Sequence, residues 1–247
     1  MKILILGHNG LLGNMVYKYF KSQKYNIVTT DLRWDNNDFK KFIKSQKIQF
    51  IINCIGIIPQ RNPDKNNYDL INYELPVWLD SLGVKVIHPD TDEDDSTPYG
   101  LSKKKARKKI IFNTKILKTS IIGMEKNTSY SFLEWFLNST GEVNGYFNQY
   151  WNGITTLEWA KWAEKLMLSW GKFKNITILE NPECVSKYEL LLSLKRIFEK
   201  DIKINMIELD IEKNSCQKGG TVTKDLMLQL IEMKYFYKNN NSEYDDI

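Results

Sequence analysis

The chain has 247 residues, of which 42% are hydrophobic and 26% charged, as in a folded globular protein with one large domain or one domain plus a small lobe. The net charge of +5 comes mostly from lysines spread along the sequence, and their densest cluster, Lys103 to Lys109, lacks interleaved aromatic residues, so we predict no nucleic-acid partner. No apolar run approaches the length of a membrane span, and the first residues indicate a strand rather than a signal peptide, so we expect a cytoplasmic protein with no membrane partner. The three cysteines (Cys54, Cys184, Cys216) are scattered and lack metal-ligand spacing, so we expect a reducing compartment and no metal.

The first thirteen residues, MKILILGHNGLLG, predict a nucleotide site. The apolar run from Lys2 to Leu6 is typical of a buried parallel strand, and apolar residues at helical period follow the glycines. Backbone N–H groups at such a strand-to-helix turn bind a pyrophosphate. A tight turn without a ligand is the alternative explanation. The residues that we expect to bind the dinucleotide here are Gly7, Asn9, Gly10, Leu11, Leu12 and Gly13.

The second predicted strand, Asn26 to Thr30, ends at an acidic residue that bears on the choice of cofactor. Asp31 lies about twenty residues past the glycines, where a carboxylate commonly binds the adenosine ribose hydroxyls. Arg33 follows two residues later and is suited to a 2′-phosphate. The two residues conflict, so the choice between NADH and NADPH stays open, with a slight preference for NADPH.

The third predicted strand, Phe50 to Ile55, follows a short helix at Asp38 to Gln46 and leads into Asn53-Cys54-Ile55-Gly56. A glycine at the carboxyl end of a parallel strand lets the backbone turn over the ligand crevice, so we expect Cys54, Ile55 and Gly56 to contact the cofactor. Cys54 itself is interpreted as a small buried side chain rather than a nucleophile, because the sequence supplies no obvious base.

A Tyr-Lys pair carries the predicted catalytic chemistry. A helix at Asn67 to Ser81, interrupted by Pro76, and a strand at Val84 to His88 precede it. Tyr99 and Lys103 are four residues apart, so a helix that begins near Pro98 puts them on one face. A phenol is a poor acid–base catalyst at neutral pH until a nearby ammonium stabilises its anion, and the lysine can also bind a ribose hydroxyl. A solvated helix face is the alternative.

The remaining elements alternate between strands and helices. We predict strands at Lys115 to Ser120, Ile176 to Leu179 and Lys203 to Leu209, the last two in a C-terminal lobe, and helices at Ser129 to Ser139, Leu157 to Trp170, Lys187 to Glu199 and Thr223 to Met233. The stretch from Gly145 to Thr156 is rich in aromatic and small polar residues, which suit either a sugar-nucleotide pocket or core packing. Asn239 to Ile247 is polar and acidic, so we expect it to be disordered.

The sequence resembles the extended short-chain dehydrogenase/reductases, on the evidence of Gly7-x-x-Gly10-x-x-Gly13, Asn53-Cys54-Ile55-Gly56 and Tyr99-x-x-x-Lys103. More narrowly, it is similar to the dTDP-4-dehydrorhamnose reductase type. The stretches GHNGLLGNMVYKYF, NCIGIIPQ, KILKTSIIG, SFLEWFL, GYFNQYWNGITTLEWAKW and VSKYELL resemble a subgroup that reduces UDP-linked 2-acetamido-2,6-dideoxy-hexuloses. The resemblance extends to about Leu230. It implies a Rossmann-type, doubly wound parallel α/β sheet, with residues 1–123 mainly binding the dinucleotide and 124–235 mainly forming a small substrate-binding lobe.

The resemblance also implies roles for residues. Tyr99 would protonate the alkoxide at sugar C4, and Lys103 would lower the pKa of Tyr99 and bind the nicotinamide ribose. Thr91 would hydrogen-bond the substrate carbonyl. The substrate, a UDP- or dTDP-linked 4-keto-6-deoxy sugar, would lie against Tyr146, Trp151, Asn152 and Thr155. A homodimer is compatible with this resemblance.

The sequence departs from the family pattern just before Tyr99. The segment between Thr91 and Tyr99 is cut to seven residues, and Asp90 stands where a small residue is usual. Ser96 or Thr97 is therefore an alternative source of the hydroxyl. Three rival functions stay open: an epimerase-reductase that uses Cys54 with a neighbouring Lys or Asp, a regulatory subunit that holds a dinucleotide without catalysis, and dTDP-linked rhamnose synthesis.

Overall fold

The computed structural model describes residues 1–59, 68–93, 95–110, 112–125 and 130–240. Fourteen strands lie in these ranges: β1 Lys2–Leu6, β2 Asn26–Val28, β3 Phe50–Asn53, β4 Lys85–Asp90, β5 Thr114–Lys118, β6 Ile121–Ile122, β7 Glu142–Tyr146, β8 Gln149–Trp151, β9 Ile154–Thr155, β10 Ile176–Glu180, β11 Val185–Ser186, β12 Lys203–Ile207, β13 Lys213–Asn214 and β14 Thr221–Val222. The α-helices are α1 Leu11–Ser22, α2 Asn37–Ser45, α3 Leu75–Asp80, α4 Pro98–Lys109, α5 Phe132–Asn138, α6 Thr156–Leu168, α7 Lys187–Ile197 and α8 Leu226–Asn240.

A seven-stranded parallel sheet with flanking helices is the central feature, which confirms the predicted Rossmann-type α/β fold. Its strand order is β14-β10-β5-β4-β3-β1-β2. The chain adds β2 on one side of β1 and β3 on the other, so the order reverses between β1 and β3. Open α/β sheets bind ligands in the crevice beyond the carboxyl ends of the strands at such a reversal.

The sequence of β1 explains its central position. Ile3, Leu4, Ile5 and Leu6 are all fully buried. Such a continuous apolar run suits a strand covered on both faces, where each buried aliphatic side chain contributes about 1.5–3 kcal/mol. Strand β10, at the predicted strand Ile176 to Leu179, is part of the central sheet, a pairing that was not predicted from the sequence. Its apolar residues alone could not indicate which sheet they join.

Two compact units divide the chain: Met1–Lys118 with Ala160–Thr177, and Thr119–Trp159 with Ile178–Ile247. In the second unit, β8 lies between β11 and β13, β7 pairs with β12, and β6 pairs with β9. The stretch Gly145 to Thr156 thus contributes to short strands instead of forming one loop. None of the described helices has the length and apolarity needed to cross a lipid bilayer.

Helix caps account for two stretches that carried the resemblance. Ser186 and Glu189, from VSKYELL, form a reciprocal capping box at the start of α7. Ser131, from SFLEWFL, caps α5 by accepting the Glu134 N–H at 3.2 Å. Such caps are typically worth about 1 kcal/mol. These two motifs therefore specify the fold, whatever the chemistry of the protein.

Several predicted boundaries differ from the observed ones. The predicted helix at Asn67 to Ser81 is a π-helical turn, Leu70–Glu74, that continues directly into α3, with Pro76 as the second residue of α3. Asn67 lies outside the described residues. Helix α8 runs seven residues beyond its predicted end, Met233, to Asn240, so Asn239 and Asn240 are helical rather than disordered. The rest of the predicted tail, 241–247, lies outside the described residues.

Candidate active site

The glycine turn between β1 and α1 is built to bring backbone close to backbone. Gly7 has φ +75°, and a Cβ there would come within 3.0 Å of the Cys54 carbonyl carbon. A Cβ on Gly13 would overlap the Gly7 carbonyl. Gly10 is the N-cap of α1 and provides no side-chain cap for the first-turn N–H groups. The helix therefore begins with open donors and the positive end of its dipole, an arrangement that binds phosphate.

A cleft of about 490 Å³ adjoins this turn, and Asp31 and Arg33 both line it. The Asp31 carboxylate accepts a hydrogen bond from Asn9 Nδ2 at 2.9 Å, and its Oδ1 lies 3.6 Å from His8 Nε2. The volume and lining suit the adenosine half of a dinucleotide. Asn9 was predicted to be a cofactor contact. His8, which follows the first glycine, was not predicted to lie at the site.

Tyr99 and Thr91 meet at the amino end of α4. The helix begins at Pro98, and Thr97 caps it by accepting the Gly100 N–H at 3.0 Å. The Thr91 side chain lies close enough to Tyr99 to act on its phenol, and it lowers the pKa of that phenol. The Thr91 hydroxyl oxygen accepts the Glu93 N–H at 3.1 Å, which fixes its position after β4. Of the three hydroxyls considered from the sequence, Thr91 is thus placed beside Tyr99, and Thr97 serves as a helix cap.

The surroundings of Tyr99 raise the pKa of its phenol, whereas Lys103 was expected to lower it. Burial raises the pKa of the Tyr99 phenol, and the carboxylates of Asp90, Asp92 and Glu93 raise it further, whereas the Thr91 side chain lowers it. The net direction is upward, because a buried phenolate would face several negative charges. The phenol is accordingly held in its protonated form at neutral pH.

Lys103 lies one turn after Tyr99 and is only 5% exposed. Its ammonium donates to the Pro89 carbonyl at 3.4 Å, and burial lowers its pKa, while Asp90 opposes that shift. A Cβ on Gly56 would lie 3.8 Å from Lys103 Nζ. The turn after β3 therefore links the two halves of the site, since Cys54 faces Gly7 and Gly56 faces Lys103. Burial also raises the pKa of the Cys54 thiol, which makes it a poor nucleophile.

Asn72 was not singled out from the sequence, although it anchors this region. It is fully buried in the π-helical turn, donates to the Ile57 carbonyl at 2.9 Å and accepts the Ile57 N–H at 3.0 Å. Its amide also donates to Ser102 Oγ on α4 at 3.3 Å. π-Helical turns are frequent at functional sites. The available signal was an asparagine beside Ile71 and about one turn before Leu75, on the side of the predicted helix that these apolar residues mark as buried.

The four predicted substrate residues lie in the second unit. Asn152 is buried, and both ends of its amide bind the Gln217 backbone, at 2.7 and 2.9 Å. Thr155 is fully buried with its N–H donated to Gln229 Oε1 at 3.0 Å, and the buried Trp151 indole donates to Ser120 Oγ. Tyr146 ends β7 and is half-buried. Asn152, Thr155 and Trp151 therefore have structural roles in the second unit. That they also bind substrate stays a prediction.

A disulfide lies next to Gln217, whose backbone is hydrogen-bonded to Asn152. Cys184 and Cys216 are bonded, with Cα atoms 5.9 Å apart, and Cys216 immediately precedes Gln217. This pairing removes the basis for the expected reducing compartment, which rested on scattered cysteines. In the described part of the chain, no three His, Cys, Asp or Glu side chains are grouped to hold a metal ion.

Comparison with known proteins bears on the fold. No family model and no curated protein matches the sequence. A dTDP-4-dehydrorhamnose reductase from Bacillus anthracis in complex with NADP is similar with a TM-score of 0.80 and 15% identity, over 95% of this chain and 98% of that one. The corresponding Clostridium acetobutylicum protein gives 0.73 and 20%, over 97% and 98%. A UDP-glucuronic acid 4-epimerase from Bacillus cereus gives 0.69 and 14%, over 97% and 99%.

Proposed function

We propose that this chain is an NAD(P)H-dependent reductase of the C4 keto group of a nucleotide-linked 4-keto-6-deoxy sugar. The observation that carries the proposal is the placement of the Thr91 hydroxyl beside Tyr99, with Lys103 one turn further along the same helix. Two adjacent hydroxyls, one of them on a phenol kept protonated, suit the reduction of a ketone. The structural neighbours that reduce or epimerise nucleotide sugars support the same class of substrate.

The residues present fit a nicotinamide dinucleotide. The open N–H groups at the start of α1 would bind its pyrophosphate, Asp31 and Arg33 would face its adenosine ribose, and Lys103 would bind its nicotinamide ribose. We favour NADPH slightly. Arg33 supports this preference, because it lines the same cleft as Asp31 and its guanidinium can bind a 2′-phosphate. The bound cofactor would supply the hydride for the carbonyl carbon.

In this proposal, the protein donates a proton to the substrate and holds the carbonyl oxygen in place. Thr91 hydrogen-bonds the carbonyl oxygen of the substrate, and Tyr99 transfers its phenolic proton to that oxygen as it becomes an alkoxide. Solvent then returns a proton to Tyr99. The reduction consumes one hydride and one proton and leaves a secondary alcohol at C4.

For the substrate, we propose a UDP-linked 2-acetamido-2,6-dideoxy-hexulose, in the biosynthesis of rhamnose-, rhamnosamine- or fucosamine-like deoxysugars. Its support is the resemblance of the motifs to that subgroup. The second candidate is dTDP-4-dehydrorhamnose, and the two similar structures of dTDP-4-dehydrorhamnose reductases support it. An epimerase-reductase is less favoured, because its candidate acid–base residue, Cys54, has a pKa raised by burial. A regulatory dinucleotide-binding role would be favoured if the shortened segment before Tyr99 prevented catalysis.

The experiment mixes purified protein with NADPH or NADH and with UDP- or dTDP-linked 4-keto-6-deoxy sugars, and follows the absorbance of the reduced nicotinamide. We expect oxidation with one sugar nucleotide. Tyr99→Phe should lower turnover by about 10²- to 10⁴-fold, with dinucleotide binding within about twofold of wild type. Tyr235→Phe, at an exposed tyrosine, is the control.

The other outcomes separate the rival functions. Deuterium from solvent at C3 or C5 of the product would identify an epimerase-reductase. Tight dinucleotide binding without oxidation by any sugar would favour the regulatory role. Normal turnover by Tyr99→Phe would overturn the assigned proton donor.

A further inference from the structure

A buried ion pair joins the end of β4 to the helix that carries Tyr99 and Lys103. Asp90 is 6% exposed and lies at the last position of β4, directly before Thr91. Arg107 lies two turns after Tyr99 on α4, and its Nη1 is 2.5 Å from Asp90 Oδ2. Tyr99, Lys103 and Arg107 recur every four residues, so they lie along one side of the helix.

The same carboxylate holds the backbone of Thr91. Asp90 Oδ1 accepts the Thr91 N–H at 2.9 Å while Oδ2 binds Arg107. Arg107 Nη2 binds both carboxylate oxygens of Asp95, at 2.9 and 3.1 Å, and Asp95 lies 3.4 Å from Lys104. One guanidinium therefore fixes the short segment before Tyr99 at two points, one of them adjacent to Thr91.

A buried ion pair is an expensive way to stabilise a fold. Removing two charges from water costs several kcal/mol per ion, and a well-packed apolar pair is often as stable. The Asp90 charge is also unfavourable for the proposed chemistry, since it raises the pKa of Tyr99. The pair nevertheless gives an orientation that apolar packing does not, because the carboxylate directs one oxygen to Arg107 and the other to the Thr91 N–H.

We propose that the Asp90–Arg107 ion pair is the positioning element that holds the Thr91 hydroxyl against Tyr99, in place of the longer segment that this chain lacks. The inference rests on the proposed function for its catalytic consequence. Asp90 and Arg107 are positioning residues that act through Thr91.

The test compares variants that break the pair in different ways. Asp90→Ala removes both contacts, Asp90→Asn keeps an oxygen for the Thr91 N–H, and Arg107→Gln removes the guanidinium. Arg196→Gln makes the same substitution at an exposed arginine and is the control. One readout is turnover with NADPH and the sugar nucleotide. The other is the ¹⁹F NMR signal of Tyr99 in protein containing 3-fluorotyrosine, assigned from its loss in Tyr99→Phe.

We expect Asp90→Ala and Arg107→Gln to shift the Tyr99 signal and to lower kcat about tenfold or more, with NADPH affinity within about twofold of wild type. Asp90→Asn keeps an oxygen for the Thr91 N–H but loses the charge that pairs with Arg107, so it should recover only part of the lost kcat and reverse only part of the signal shift. Full recovery would mean that the Thr91 N–H contact alone positions the hydroxyl, and would overturn the role of the ion pair. If Arg107→Gln does not fold, the comparison of Asp90→Ala with Asp90→Asn decides, because Arg107 keeps Asp95 as a partner in both.

The outcomes separate this inference from the proposed function. An unshifted Tyr99 signal in Asp90→Ala, with unchanged kcat, would overturn the positioning role. A wild-type protein that reduces none of the sugars, but whose Tyr99 signal shifts in Asp90→Ala and returns in part in Asp90→Asn, would overturn the proposed function and leave the positioning role supported.

Discussion

The side chains of Thr91 and Tyr99 lie next to each other, and Thr91 lowers the pKa of the phenol against burial and three carboxylates that raise it. Between them in the chain is the segment that is shorter here than in the family that the sequence resembles. The shortening has therefore not separated the two hydroxyls. Ser96 and Thr97 were alternatives to Thr91 as the residue that binds the substrate carbonyl. Substitutions at Thr91 and at Thr97 should have different effects on turnover.

Replacement of Thr91 tests which hydroxyl binds the substrate carbonyl. Thr91→Val keeps the shape and removes the hydroxyl, so we expect turnover to fall about 10²-fold or more. Thr91→Ser restores a hydroxyl and should recover most of the rate. Thr97→Ala should cost about 1 kcal/mol of stability through the lost cap of α4 and leave the rate per folded molecule near wild type. The reverse pattern would transfer the role to Thr97. Steady-state kinetics and urea denaturation give the two quantities.

Alkaline pH should destabilise the first unit in part through Tyr25. Burial, and then the hydrogen bond and charge of Glu164, raise the pKa of Tyr25 from 10.0 to about 12. A pKa that is higher in the folded state means that the folded state binds the proton more tightly. The resulting stabilisation is fully present below about pH 10, where both states are protonated, and is lost as the pH rises toward about 12.

Urea denaturation between about pH 8 and pH 11 measures this loss. Tyr25→Phe should be less stable at pH 8, because Glu164 loses a partner at 2.8 Å, and its stability should fall less steeply above about pH 10. Tyr235→Phe is the matched control at an exposed position. Equal slopes for Tyr25→Phe and wild type would contradict the assignment.

Gly13 tests the phosphate turn. An added Cβ would overlap the Gly7 carbonyl, so Gly13→Ala must displace either the turn or the start of α1. We expect a loss of about 1–3 kcal/mol in stability and a marked loss of dinucleotide affinity. Gly171→Ala is the control, because a Cβ there meets nothing within 4 Å, and its stability should stay within about 0.5 kcal/mol of wild type. Calorimetric titration with NADPH measures the affinity, and undiminished binding by Gly13→Ala would argue against this turn as the pyrophosphate site.

Local patterns predicted the parts of the fold that local physics determines. The apolar run of β1, the glycine turn and the Pro98 start of α4 each follow from nearest-neighbour chemistry, and each is present. The sequence patterns did not predict which elements far apart in the chain pack against each other. The place of β10 in the central sheet depends on a partner about sixty residues away, and the Arg107–Asp90 contact depends on how α4 packs against β4. The net upward shift of the Tyr99 pKa was hidden for the same reason, since spacing along a helix does not reveal the carboxylates that surround the phenol.

The disulfide is a further feature that spacing could not reveal, because 32 residues separate Cys184 from Cys216. Cys184 directly precedes β11 and Cys216 lies two residues after β13, and both strands pair with β8, which brings the two cysteines together. A cross-link that closes a loop of this length contributes about 3–4 kcal/mol in the chain-entropy account. The Gln217 backbone, which holds Asn152, follows directly.

Thiol titration of the unfolded, unreduced protein should therefore find one free thiol, Cys54, and three after reduction. Reduction, or the double variant Cys184→Ser/Cys216→Ser, should lower the free energy of unfolding by about 2–4 kcal/mol. Cys54→Ser is the control: it should remove the one free thiol, and added reductant should still destabilise it by the same amount. Three reactive thiols in the unreduced wild type, with stability insensitive to reductant, would contradict the pairing.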